Sequence, residues 1–277
     1  PEQIETAKIT ELRRAVIAQW QVDLPDSTAL WRFSVDQREK FWRTVIEFCG
    51  LTAVTWGERD SVDADQLPGA KWFPDARFNF AENLLKRRDD GEALVFWGED
   101  KVRRRMTFAE LYDAVSQFAQ ALRAEGVKPG DRVAGYLPNM PEAIISMLAA
   151  ASLGATWSSC SPDFGLQGVL DRFGQIEPKV LIASDGYFYN GNTHDVRKKI
   201  ADLVGRVPSI QRVVVVPYAS TEPNISSIRD AVELSDFVGN FTPVDIHFEQ
   251  MPFDHPLYIL YSSGTTGQPK CIVHEAG

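Results

Sequence analysis

The sequence predicts an α/β fold in which helices flank a doubly wound, mostly parallel sheet. From Ala93 onward, short apolar runs alternate with segments of helical periodicity, as in strands joined by crossover helices. One helical segment, residues 142–153, is apolar nearly all round, which predicts burial against the sheet. A further apolar run, residues 257–260, leads straight into a loop of serine, threonine, glycine and lysine. Ligands bind beyond the carboxyl ends of strands in such sheets, so this loop is the candidate site.

The sequence predicts helices in the N-terminal part of the chain. Apolar residues recur at helical spacing within residues 1–24 and again within residues 36–51. A short helix at 79–88 is predicted to lead into the main domain. We therefore expect two parts, a helical extension at residues 1–90 and the first part of a larger domain at residues 91–277.

The larger domain is predicted to begin with a hairpin and to continue with alternating elements. Thr107 and Glu110 have the spacing of a capping box, and Pro141 suits the first turn of a helix. No regular element is predicted for residues 221–253. In chain order, strands are predicted at 93–97, 102–106, 131–137, 155–160, 179–183, 212–216 and 257–260, and helices at 107–125, 141–153, 166–176 and 195–204.

Composition narrows the class of protein. The 277 residues are 44% hydrophobic and 24% charged, which is typical of a soluble globular protein. A net charge of −9 argues against broad binding to nucleic acid or to anionic membranes. No apolar run approaches the length of a membrane span and no secretory signal opens the chain, so we expect a cytoplasmic protein. The widely spaced Cys49, Cys160 and Cys271 predict reduced thiols rather than disulfides or a zinc site.

The loop after residues 257–260 has the composition of a phosphate-binding loop. Its glycines permit close approach of the backbone to a ligand, its amides and hydroxyls are donors, and Lys270 supplies a positive charge. An ordinary surface turn is the alternative. Spacing excludes the loop of nucleoside triphosphatases, because Gly267 and Lys270 are not adjacent and Cys271 replaces the magnesium-binding Ser or Thr. The candidate residues for a polyphosphate are Ser262, Ser263, Gly264, Thr265, Thr266, Gly267 and Lys270.

Residues 261–270, Tyr-Ser-Ser-Gly-Thr-Thr-Gly-Gln-Pro-Lys, resemble the phosphate-loop signature of the adenylate-forming superfamily. That superfamily includes acyl-CoA synthetases, luciferases and peptide-synthetase adenylation domains. Residues 72–84 are similar to the entry segment of the acetyl- and acetoacetyl-CoA synthetase branch, and residues 157–165 and 187–191 most resemble its acetoacetyl-CoA synthetases. The resemblance begins at about residue 30 and reaches the end of the chain. It implies that the fold is part of the large N-terminal domain of an adenylate-forming enzyme.

The resemblance also implies a reaction. ATP with Mg²⁺ would activate acetoacetate, or another short acyl acid, and the acyl adenylate would react with coenzyme A. Lys270 would be the catalytic cation, and the loop would hold the β- and γ-phosphates of ATP. His274 corresponds to a histidine of the family, and it would either face the nucleotide or pack within the sheet. No metal ligand is predicted in this chain, because the family supplies its acidic ligand further downstream.

The coenzyme A contacts implied by the resemblance involve two segments. Ser161, Pro162 and Asp163 occupy one place where related enzymes contact coenzyme A, and Tyr189 lies in the other. Two arginines of acetyl-CoA synthetases are absent there. Nearby residues of basic character could replace them or form a solvated helix face; these are Arg197, Lys198 and Lys199.

Other polar residues are predicted to be structural. His194, His247 and His255 have no evident catalytic partner, and the arginines at 103–105 predict a solvated edge. The favoured hypothesis is therefore an ATP-dependent acyl-CoA ligase for acetoacetate. The alternatives are an acetyl- or other short-chain acyl-CoA synthetase and, from another class, a non-catalytic nucleotide-binding module.

The position of the loop within the chain leads to a further expectation. The sequence ends shortly after Lys270, so we expect an N-terminal fragment that lacks the C-terminal lid of the family. Such a fragment would show no adenylation by itself. The expected partners are small molecules, without nucleic acid or membrane.

Overall fold

The structure, a computed structural model, describes residues 2–262 and 267–277. The chain divides into two compact units, Pro1–Arg77 and Phe78–Gly277. The sequence predicted a division after residue 90. The compact units divide earlier, because residues from Phe78 onward make their contacts within the second unit. That the first unit is an extension of the synthetase type stays a prediction.

The first unit is mainly helical. It contains the helices α1 (Glu2–Glu5), α2 (Lys8–Trp20), α3 (Ser27–Asp36) and α4 (Arg38–Phe48) and the short strands β1 (Ser61–Val62) and β2 (Lys71–Trp72). The indole of Trp20 on α2 donates to the hydroxyl of Thr44 on α4 at 2.8 Å. The apolar core of this unit is made of Val16, Leu24, Leu30 and Phe33.

Helix α3 was not predicted as a separate element. Its start is marked by Asp26, whose carboxylate accepts from the backbone N–H of Ala29 at 2.8 Å, as an N-cap does. The helix predicted at 36–51 is shorter in the structure, because the chain breaks between α3 and α4 at Gln37 and α4 ends at Phe48.

The second unit opens with a short helix and a hairpin and then alternates strands and helices. Its first elements are α5 (Phe80–Leu84), β3 (Glu92–Gly98), β4 (Val102–Thr107), α6 (Phe108–Ala124), β5 (Arg132–Tyr136), α7 (Pro141–Ser152), β6 (Thr156–Cys160), α8 (Leu166–Ile176) and β7 (Val180–Ser184). They continue with β8 (Gly186–Tyr189), β9 (Asn192–Asp195), α9 (Arg197–Arg206), β10 (Arg212–Val216), β11 (Ala231–Glu233), α10 (Leu234–Val238), β12 (Pro256–Tyr261) and β13 (Cys271–Glu275).

The main sheet is doubly wound, as predicted. Within the described residues it has seven strands in the order β11-β10-β7-β5-β6-β12-β13. Neighbouring strands are parallel except for β12 and β13, which are antiparallel. Alternate residues of β7 point to opposite sides, so that Ile182 packs with α6 and α7 and Leu181 packs with α8 and α9. Apolar cores therefore lie on both faces of the sheet.

Local signals placed the starts of α6 and α7 correctly. Thr107 accepts from the N–H of Glu110 at 3.1 Å, and Glu110 accepts from the N–H of Thr107 at 2.8 Å, which confirms the capping box. Pro141 occupies the first turn of α7, and most residues of that helix are buried, as its apolar sequence predicted.

Several short elements of the second unit were missed. Residues 221–253, predicted to be irregular, contain β11 and α10. The helix predicted from residue 195 begins at Arg197, because Asn192–Asp195 forms the second strand of the hairpin β8–β9. The turn of that hairpin has positive φ at Asn190 (50°) and Gly191 (75°), which is the Asn-Gly signature of a two-residue hairpin loop.

Candidate functional site

The candidate loop connects β12 to β13 at the carboxyl end of β12. The backbone N–H of Ser262 donates to the carbonyl oxygen of Lys270 at 3.0 Å, and the N–H of Lys270 lies 3.4 Å from Ser262 Oγ. These contacts close the neck of the loop, with Ser262 at its start and Lys270 at its end. Four predicted phosphate contacts, Ser263, Gly264, Thr265 and Thr266, lie outside the described residues.

The described end of the loop presents backbone and charge to solvent. Gly267 has a φ of +102°, which a residue with a side chain rarely adopts, and it is exposed. Lys270 is also exposed. Lys179 and Lys198 each pair with a carboxylate, whereas Lys270 forms no ion pair within residues 2–262 and 267–277. Its charge is therefore free to meet an anion.

A buried polar contact fixes the strand beneath the loop. Ser158 on β6 donates to the carbonyl oxygen of Ile259 at 2.8 Å, and its hydroxyl lies 2.9 Å from that of Tyr261. Burial raises the pKa of Tyr261 far above its ordinary value, so its phenol stays protonated. The residue before the loop is thus anchored to the neighbouring parallel strand.

The segment predicted to meet coenzyme A begins directly after β6, the strand next to β12. Ser161 and Asp163 are exposed, whereas Pro162 is buried. The hydroxyl of Tyr136 lies 3.0 Å from the carbonyl oxygen of Pro162 and 2.9 Å from that of Phe164. Because Tyr136 is almost fully buried, these carbonyl contacts hold the segment from below.

The other predicted coenzyme A residue, Tyr189, lies on β8 with 68% of its surface exposed. On the same strand, Tyr187 packs against the apolar cluster that contains Tyr136, whose hydroxyl contacts the carbonyl oxygen of Pro162. Burial first and then the Asp163 carboxylate raise the pKa of Tyr187. Strand β8 and residues 161–163 therefore both adjoin Tyr136.

Residues 80–277 match the family model described as AMP-binding enzyme. The chain belongs to the AMP-binding enzyme family. Its relatives narrow the resemblance further. An acetoacetyl-coenzyme A synthetase of Rhizobium meliloti (strain 1021) is 52% identical over 91% of this chain and 38% of the relative. An acetoacetyl-CoA synthetase of Danio rerio is 42% identical over 100% of this chain and 42% of the relative.

A solved structure leads to the same group of enzymes. Acetoacetyl-CoA synthetase from Streptomyces lividans superposes with a TM-score of 0.93 at 40% sequence identity and covers 100% of this chain. A malonamoyl-CoA synthetase of Penicillium aethiopicum is 36% identical over 93% of this chain. These matches confirm the predicted resemblance. The chain spans about two fifths of the length of the relatives it matches.

The three basic residues predicted to replace the missing arginines all have partners within the protein. Arg197 binds Asp195, and Lys198 binds Asp202 at 2.8 Å. Lys199 differs, because its ammonium donates to the carbonyl oxygen of Pro162 at 3.1 Å. It therefore supports the predicted coenzyme A segment from helix α9, which the sequence did not indicate.

The histidines divide into one edge residue and three with structural partners. His274 is exposed on β13, and its ring centroid lies 5.1 Å from that of Tyr258, so a contact with nucleotide stays a prediction. The other three were predicted to be structural, and each has a structural contact. His255 Nε2 lies 2.8 Å from the Gly154 carbonyl oxygen, His194 stacks on Tyr187 at 4.7 Å, and His247 lies 3.7 Å from Glu249.

Over the described part of the chain, no group of three or more His, Cys, Asp or Glu side chains could hold a metal ion. In the same residues, no helix is both long enough and apolar enough to cross a membrane.

Sequence reasoning missed two side chains on α8 that contact the ends of the candidate loop. The guanidinium of Arg172 lies over the ring of Tyr261, and the side-chain amide of Gln175 donates to the carbonyl oxygen of Pro269 at 2.9 Å. No local signal could reveal them, because each contact joins residues far apart in the chain.

Proposed function

We propose that the full-length protein is an AMP-forming acid–thiol ligase that converts acetoacetate, ATP and coenzyme A to acetoacetyl-CoA, AMP and pyrophosphate. The observation that carries this proposal is the loop with its closed neck between Ser262 and Lys270, at the carboxyl end of a parallel sheet. The names of the relatives support the choice of acid.

The first half-reaction is proposed to form acetoacetyl-AMP. A carboxylate oxygen of the acid attacks the α-phosphorus of ATP, and pyrophosphate leaves with the electrons of the broken P–O bond. The predicted loop, Ser262–Lys270, surrounds the β- and γ-phosphates with amide and hydroxyl donors. Lys270 stabilises the charge that accumulates on the departing pyrophosphate. This role suits Lys270, whose ammonium is exposed and forms no ion pair in the described residues.

The second half-reaction is proposed to transfer the acyl group to sulfur. The thiol of coenzyme A loses its proton and attacks the acyl carbonyl, and AMP leaves with the electrons of the broken C–O bond. Ser161, Pro162, Asp163 and Tyr189 are the proposed contacts of this substrate. Their support is that residues 161–163 directly follow β6, that β8 directly follows β7, and that both segments adjoin Tyr136.

Mg²⁺ is proposed to accompany ATP, since phosphoryl-transfer sites commonly use it to neutralise phosphate charge. The described residues contain no cluster of ligands for it, so they do not fit a complete magnesium site. No step is assigned to the metal.

We also propose a cytoplasmic location, in keeping with the absence of a disulfide pattern among Cys49, Cys160 and Cys271.

The test is ATP–pyrophosphate exchange by the full-length protein with acetoacetate, acetate, propionate and malonamate. Exchange that is fastest with acetoacetate is the expected result. Faster exchange with acetate or propionate would assign the protein to another short acid. Malonamate is included because of the malonamoyl-CoA synthetase relative, and because it differs from acetoacetate only by an amide nitrogen in place of a methyl group.

The 277-residue chain itself is proposed to be inactive in adenylation, because its relatives use more than twice this length. In isolation it would act, at most, as a nucleotide-binding module. Exchange assays on this chain beside the full-length protein test the point directly. Turnover by the shorter chain at a comparable rate would refute it.

A further inference from the structure

Helix α8 lies beside both ends of the candidate loop. At the start of the loop, the guanidinium of Arg172 lies 5.5 Å from the ring centroid of Tyr261. At its end, Nε2 of Gln175 donates to the carbonyl oxygen of Pro269 at 2.9 Å. The thiol of Cys271 donates to Oε1 of the same amide at 3.7 Å. One helix therefore contacts the strand that enters the loop and the strand that leaves it.

The two contacts of Gln175 fall on either side of Lys270. Pro269 and Cys271 are its immediate neighbours in sequence, and a single carboxamide binds both. Ser262 hydrogen-bonds the backbone of Lys270 itself. The backbone of Lys270 is thus bound by Ser262 and flanked by the two contacts of Gln175, whereas its exposed side chain has no carboxylate partner in the described residues.

Fixing this backbone matters because the lysine side chain is long and flexible. A lysine side chain loses much conformational entropy when it is ordered. The protein can prearrange only the point from which that side chain starts. A donor placed about 1 Å from its productive position loses much of its effect on the barrier. The contacts on either side of Lys270 therefore set how well its charge meets a phosphate.

Gln175 is suited to this role and is dispensable for the core. The buried side chains of α8 are Val169, Phe173 and Ile176, whereas Gln175 is exposed. A carboxamide offers one donor for a carbonyl oxygen and one acceptor for a thiol, and neither a methyl group nor a carboxylate offers both. Removal of this side chain should leave the packing of α8 against the sheet intact.

We propose that Gln175 is a positioning residue that orients Lys270 toward the phosphates of ATP. The inference rests on the proposed function, because it needs ATP to occupy the loop. It adds a residue outside the loop motif, on a helix that ends well before the loop in the sequence.

The test uses the full-length protein with Gln175→Ala and, as a matched control, Gln167→Ala. Gln167 lies on the same helix and donates to Asp171 at 2.6 Å rather than to the loop. ATP binding is measured by titration calorimetry, and kcat/KM for ATP by pyrophosphate exchange. Gln175→Ala should weaken both by about 3- to 10-fold, because the hydrogen bond to Pro269 and the weaker contact with Cys271 are lost, with the KM for the acid and the Tm unchanged. Gln167→Ala should stay within about 2-fold of wild type.

A double-mutant cycle separates positioning of Lys270 from a general effect on the loop. In a Lys270→Ala background, Gln175→Ala should change ATP binding by less than about 2-fold, because the side chain that it orients is gone. An undiminished loss in that background, or no loss in the wild-type background, would overturn the inference. Wild-type protein that binds no ATP would instead refute the proposed function, so the two failures are distinguishable.

Discussion

Asn79 joins three parts of the second unit through one side chain, and its removal should be strongly destabilising. The residue is 1% exposed. Its Oδ1 accepts from the backbone N–H groups of Ala81 at 2.9 Å and Glu82 at 3.2 Å, which caps α5. Its Nδ2 donates to the carbonyl oxygens of Ala151 at 3.0 Å and Glu249 at 2.8 Å. The carboxamide therefore satisfies both the start of α5 and the end of α7.

The cost of Asn79→Ala follows from these bonds. Loss of the N-cap costs about 1 kcal/mol. One donated bond goes to the carbonyl oxygen of Ala151, which also accepts from the N–H of Gly154, and the other goes to the carbonyl oxygen of Glu249. Loss of each bond costs about 0.5–1.5 kcal/mol. The free energy of unfolding of the second unit should therefore fall by about 2–4 kcal/mol.

Asn79→Asp distinguishes the cap from the donors. Aspartate keeps the acceptor for α5 but loses both donors, and at neutral pH it places a carboxylate against the carbonyl oxygens of α7. It should therefore be at least as destabilised as Asn79→Ala, although it retains the cap. Asn192→Ala is the control, because Asn192 is exposed and should change stability by less than about 0.5 kcal/mol.

Urea unfolding together with hydrogen exchange at the amides of β5 measures these differences, since the central strand exchanges only when the second unit opens. An Asn79→Asp protein with nearly wild-type stability would show that the donated bonds contribute little. The account of Asn79 as a link between α5 and α7 would then be wrong.

Three further predictions concern the loop, a close contact and a buried thiol. In the full-length protein, Lys270→Ala should raise the adenylation barrier by about 2–4 kcal/mol, measured by pyrophosphate exchange, and unchanged kinetics would remove Lys270 from its role. Gly98→Ala should cost about 1–3 kcal/mol in urea unfolding, because its Cβ would lie 2.1 Å from the Tyr218 hydroxyl. Tyr218→Phe should restore most of that loss, and no restoration would contradict the clash. Burial raises the pKa of Cys160 from 9.0 to about 12, so above pH 9 the unfolded thiol releases its proton while the folded thiol keeps it. Stability should therefore fall with rising pH more steeply in wild type than in Cys160→Ala, by up to about 1.4 kcal/mol per pH unit, whereas the exposed Cys49→Ala should follow wild type.

The fold could be predicted wherever one local signal was strong. The alternation of apolar runs with helical segments identified the strands β5, β6, β7, β10 and β12 and the helices α7, α8 and α9. The short elements β11 and α10 were missed because neither is long enough to show periodicity. Strand β13 was missed because it follows the loop and pairs antiparallel with β12, which the parallel alternation did not suggest.

The candidate site could be predicted as a motif but not as an arrangement. The composition of residues 262–270 indicated phosphate binding, and the comparisons support the family that the motif suggested. The supporting contacts of Tyr136, Lys199 and Gln175 lie on three separate elements. Each forms only when distant segments pack together, so a single sequence carries no spacing from which to infer it.

The amino-acid sequence by itself determined the alternating elements, the cap at Thr107 and the composition of the loop that ends at Lys270, because these depend on neighbours within a few residues. Tertiary structure alone decided that Asn79 would serve two helices and that Gln175 would bind on both sides of Lys270. The physical reason is that a side-chain hydrogen bond reaches only about 3 Å, so its partners are set by how the sheet and helices pack rather than by their separation along the chain.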